Sequence, residues 1–113
     1  MAKTATVEIL TNQTSTTTLA NVVAHQPTSQ YRTFQAYGTT SSGAGAATID
    51  IRVSNDGSDY STVLGTITLT LGTTSTSDGF GSILPWKYVK AHVTAISGTG
   101  ASVTVVMGTE DRR

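Results

Sequence analysis

Residues 47–53 read Ala47-Thr48-Ile49-Asp50-Ile51-Arg52-Val53, and the alternation within them decides the fold. In an extended chain successive side chains point to opposite faces, so Ile49, Ile51 and Val53 share one surface while Asp50 and Arg52 share the other. β-branched residues repeating with a period of two mark a strand with one face on a core and one in water. Thr66-Ile67-Thr68-Leu69-Thr70-Leu71 repeats the pattern, with Ile67, Leu69 and Leu71 inward and three threonines outward. Lys87-Val89-Ala91-Val93 and Ala101-Val103-Val105-Met107 do the same. Weaker alternation marks Ala5-Val7-Ile9 and the segment around Phe34 and Ala36, and Leu19 to Val23 adds a further short candidate.

Polar punctuation separates these segments: Gln26-Pro27-Thr28-Ser29, Ser41 to Gly45, Ser54 to Asp59, Gly72 to Gly81, and Ser97-Gly98-Thr99-Gly100. About a third of the chain is Ser or Thr, and Leu, Lys and Glu are few, which disfavours helices. Strands at this spacing joined by polar turns predict an all-β fold, an antiparallel β-sandwich or jelly roll of six to eight strands. A chain of 113 residues makes one domain, burying roughly 65% of its unfolded surface, with residues 1–18 as an N-terminal arm or edge strand.

Charge and composition exclude several functions. Seven basic and seven acidic residues cancel and are scattered, apart from Glu110-Asp111-Arg112-Arg113, so no basic stripe is present to meet nucleic-acid phosphates. The absence of cysteine removes disulfides and thiolate metal sites. The opening MAKTATVEIL lacks the apolar stretch of a signal peptide, and no apolar run approaches the ~20 residues of a membrane helix. The expectation is a protein made in the cytoplasm that binds neither nucleic acid nor membrane.

Ser54-Asn55-Asp56-Gly57-Ser58-Asp59-Tyr60 offers carboxylates, an amide and a glycine together. A calcium loop of the EF-hand kind needs a distant bidentate glutamate, and here the chain runs on to Val63-Leu64-Gly65 without one. Asn, Asp and Gly tolerate positive φ, so the stretch reads as a tight hairpin connection. His25 and His92 read as loop and sheet-surface histidines, and the Gly43/Gly45, Gly79/Gly81 and Gly98/Gly100 pairs as turns without a following helix to hold a phosphate. The G-x-S-x-G elbow and the P-loop are absent. No catalytic residue, metal ligand or cofactor site is expected, and the chain is read as a non-enzyme.

Two features ask for more than a turn. Trp86 and Tyr88 lie in opposite phase to Val89 and Val93, so in Ile83-Leu84-Pro85-Trp86-Lys87-Tyr88 the aromatics either cap the sandwich or meet another subunit. Ile83, Leu84, Trp86 and Tyr88 are therefore the interface candidates. The low charge also leaves sheet edges without the lysines that usually guard them, which suits a homo-oligomer.

Several of these segments in order carry a resemblance: Ala46 to Gly57, Leu64 to Leu69, Ser77-Asp78-Gly79-Phe80, Pro85 to Ala91, Ser97 to Ala101, and Val103 to Gly108. Together, over roughly residues 37–108, they resemble small structural proteins of tailed-bacteriophage virions, most of all the capsid decoration or cement proteins. That resemblance implies a β-rich homotrimer located in the virion, which binds the major capsid protein on the outer head lattice and stabilises it. It also implies, as an alternative, a neck or tail protein. A local likeness of Ser54-Asn55-Asp56-Gly57 with Tyr60 to discoidin-like carbohydrate-binding jelly rolls implies a third reading. Such modules usually run longer and carry clustered exposed aromatics and arginines, which this chain lacks.

Overall fold

The computed structural model describes residues 3–13, 23–24, 32–82 and 86–111, with side chains at 32–82 and 86–108. The described residues form eight strands: β1 (Lys3–Gln13), β2 (Val23–Ala24), β3 (Arg32–Thr39), β4 (Ser42–Ser54), β5 (Thr62–Leu71), β6 (Thr76–Ser82), β7 (Tyr88–Thr99) and β8 (Ser102–Asp111). They pair as two four-stranded sheets ordered β1-β8-β3-β6 and β2-β7-β4-β5, antiparallel throughout.

This order follows from one long hairpin. β4 and β5 form its tip, and β3 with β6, β2 with β7 and β1 with β8 are its successive rungs. Rolling the hairpin lays β8 beside β3 and β7 beside β4, closing a jelly roll. The antiparallel sandwich of six to eight strands expected from alternation is thus the observed architecture, with eight strands among the described residues.

The inner faces are the apolar positions of the alternating segments. Ile49, Ile51 and Val53 on β4, Ile67, Leu69 and Leu71 on β5, and Val89, Ala91 and Val93 on β7 are buried from one sheet. Phe34, Ala36, Val103, Val105 and Met107 close on them from the other. Two bulges shift this phase. On β5, Gly65 lies opposite Ile51 and Val63 opposite Arg52, so Leu64 is the extra residue. On β7, Thr48 faces Ala95 and Ile49 faces Val93, which makes Thr94 the extra one and turns Ile96 onto the core.

Residues 72–81 depart from their reading as a turn, because Thr76–Ser82 is an edge strand paired with β3. Gly79 in it serves close approach, because a Cβ there would overlap the carbonyl oxygen of Phe34. Likewise, Ser42 to Gly45 and Ser97 to Thr99 lie within strands, with Gly43 (φ 70°) and Gly98 (φ 117°) absorbing local distortion.

Candidate functional site

The topology sorts loops by end. The β3–β4, β5–β6 and β7–β8 connections gather at one end, where short hydrogen-bonded turns carry no charged side chain. There the Thr40 amide donates to the Gly72 carbonyl (2.8 Å), the Ser41 amide to the Thr99 carbonyl (2.9 Å), and the Thr40 hydroxyl to the Gly43 carbonyl (2.6 Å). At the opposite end the β4–β5 loop meets the start of β7, and there carboxylates, an amide, lysines and aromatics converge.

The β4–β5 connection spans residues 55–61 and is not a two-residue turn. Side chains replace backbone pairing inside it. The buried Ser54 hydroxyl accepts the Asp56 and Gly57 amides (3.2 and 3.0 Å) and donates to Asp56 Oδ1 (2.8 Å). Asp56 Oδ1 also accepts the Ser58 and Asp59 amides (2.8 and 3.0 Å), and Asp59 Oδ1 accepts the Ser61 amide (3.0 Å) and hydroxyl (2.6 Å). These are the Asx turns that compete with tight hairpin geometry. Gly57 holds φ 77° at the bend, as its residue type predicts.

The donors favour charged carboxylates. The Asp59 and Ser58 amides and the Ser54 hydroxyl hold Asp56 down to about 2. The Ser61 hydroxyl and amide lower Asp59 as well. Among the described residues the ion pair found is Arg52–Asp50 at 3.5 Å, on the outer face of β4. The nearby lysines lie over rings instead, Lys90 Nζ 4.4 Å from the Tyr60 centroid and Lys87 Nζ 5.5 Å from that of Tyr88.

Trp86 forms the other wall. Its half-buried side chain packs against the core, so it caps the sandwich as the phase argument allowed. The Lys87 amide donates to Asn55 Oδ1 (3.1 Å), tethering the start of β7 to the loop across 32 residues of sequence. Between the two walls lies an open cleft of about 280 Å³ lined by Val53, Ser54, Asn55, Asp56, Asp59 and Trp86. Tyr88 stands half-buried beside it, its ring 3.2 Å from where a Cβ on Gly57 would sit. Ile83 and Leu84 lie outside the described residues, as does His25. His92 is on the outer face of β7 opposite Asp50, half-buried, with Nδ1 enclosed and without a partner. Sequence reasoning singled out the loop and Trp86 separately and missed that they share a cleft; no local signal pairs them.

Among the described residues no three His, Cys, Asp or Glu side chains come together as metal ligands. No protein-family model matches the sequence, and neither does any curated protein. Solved structures do match in shape. The chain is similar to the SPBc2 prophage-derived protein YomS, with a TM-score of 0.59 and 14% identity over 98% of this chain and 96% of that one. The likeness is one of fold. It is also similar to the K3 cleaved adhesin domain of Lys-gingipain from Porphyromonas gingivalis w83, with a TM-score of 0.52 and 12% identity over 83% of this chain and 62% of that one.

Proposed function

We propose that this chain is a non-enzymatic structural protein of a tailed-phage virion, and within the virion a decoration protein that binds the major capsid protein on the outer head lattice as a homotrimer. The observation that carries the reading is the end-to-end likeness in fold to a prophage-derived protein, 98% of one chain against 96% of the other. Fold alone does not assign function. The segment order that resembles decoration proteins, and the asymmetry between one inert end and one end rich in charge and aromatics, point the same way.

The mechanism requires binding alone. A protein that binds the expanded shell and not its precursor stabilises the expanded state in proportion to RT ln(1 + [L]/Kd). A trimer engaging several capsid subunits turns weak contacts into avidity. The jelly roll supplies a rigid scaffold for this, because its buried strands hold the 55–61 loop and Trp86 in fixed relation.

Co-sedimentation with expanded heads tests the reading. Saturable binding, with one trimer per lattice site, is the expected result. Binding to isolated tails or necks, with none to heads, would replace decoration by the neck or tail role.

A further inference from the structure

We propose that the cleft between the 55–61 loop and Trp86 is a socket for a lysine or arginine side chain of the protein that this chain decorates. This inference rests on the decoration reading for its partner, and on the cleft itself for its chemistry.

The first argument is charge. Two carboxylates stand at one wall, and among the described residues neither has a cation within ion-pair distance. The lysines at this end of the sandwich, Lys90 and Lys87, lie over the rings of Tyr60 and Tyr88. Both side chains are exposed and carry full negative charge at neutral pH, as ordinary aspartates do.

Preorganisation is the second. Oδ1 of each aspartate is fixed by loop donors, and the Asn55–Lys87 bond holds the loop against the strand that bears Trp86. A guest therefore meets walls whose ordering cost has already been met in folding.

Shape and aromaticity are the third. Indole is the best of the side-chain rings for receiving a cation, and a guanidinium can stack on it while its N–H fork bonds carboxylates. About 280 Å³, open to solvent, lies just below the usual range for small-molecule pockets and suits a single side chain entering from outside.

Trp86 is the single tryptophan in the chain, so its fluorescence reports the cleft without interference. The purified full chain is titrated with Nα-acetyl-arginine amide, and in parallel with methyl glycosides and calcium chloride. The expected result is a saturable change in Trp86 emission with the arginine compound at millimolar concentration, weakened by salt. It should weaken at least tenfold in the variant carrying Asp56→Asn and Asp59→Asn. The carboxamides keep the Oδ1 acceptors that the loop amides use, and a cooperative thermal transition well above the assay temperature verifies the fold. On heads, the double variant should remain trimeric and bind at least tenfold more weakly.

Equal binding of wild type and double variant to heads would overturn the socket while leaving decoration standing. Wild type that ignores heads, yet binds the arginine compound through Asp56 and Asp59, would sink decoration and keep the cation site. Emission that responds to a glycoside or to calcium and not to arginine would overturn the proposal in favour of a glycan or metal site.

Discussion

Substituting Gly65 by alanine is expected to destabilise the domain, and the structure sets the size of the effect. Gly65 lies on β5 beside the bulge at Leu64, and the Phe80 ring from the edge strand of the other sheet rests on it. A Cβ there would come 2.6 Å from Phe80 Cζ and 2.9 Å from both Cε atoms. The ring has little room to retreat, because it also packs on Phe34 with centroids 5.2 Å apart and planes tilted by 36°. Two effects of opposite sign compete. Removing a glycine from the unfolded ensemble stabilises by about 0.4–1 kcal/mol where the backbone permits alanine. Overpacking a fitted contact costs about 1–3 kcal/mol. The clash wins, leaving a net loss of about 1–2 kcal/mol, which lowers Tm by roughly 4–10 °C in a domain of this size. Urea titration followed by Trp86 fluorescence, at one fixed protein concentration, should show a lower midpoint with an unchanged slope. In a Phe80→Leu background, Gly65→Ala should lose most of its cost, since the ring that it strikes is gone. A Gly65→Ala protein as stable as wild type, or a penalty that persists without Phe80, would refute the reasoning.

Three further outcomes follow from the core and the loop. Phe34→Ala should cost about 3–5 kcal/mol by calorimetry, because a fully buried ring is lost together with its contact to the Phe80 ring. Ser54→Ala should cost about 1–3 kcal/mol and raise Asp56 from about 2 toward 3.8 in a carboxyl NMR titration, since it removes a buried hydroxyl that accepts two amides and donates to that carboxylate. Asp56 sits lower in the fold than in the unfolded chain, so its contribution is present above about pH 4 and lost as pH falls through about 2. Acid unfolding of Asp56→Asn should be flatter across that window than that of the wild type.

The alternation was legible because each sheet buries one face. Ile49, Ile51, Val53, Ile67, Leu69 and Leu71 fall inside as their parity requires. Parity failed to predict where strands bulge, and Ile96 switches face only because Thr94 is inserted opposite a continuous β4. The strand β6 was hidden because its Ser, Asp and Gly residues have turn chemistry. Gly79 is required there because the carbonyl of Phe34 lies where a Cβ would otherwise be. The 55–61 loop was recognisable as a connection but not in length, since its geometry is set by side-chain acceptors outcompeting a tight turn. Trp86 was visible as out of phase with its strand, whereas its pairing with Asn55 and Asp56 depends on the rolling of the hairpin and has no local trace.

Decoration is tested most directly by mixing the purified protein, its mass first fixed by light scattering, with expanded and unexpanded heads and sedimenting both. The account predicts a trimer that pellets with expanded heads to saturation and raises their thermal midpoint, while leaving unexpanded heads bare. A protein that stays in the supernatant with both kinds of head would contradict it.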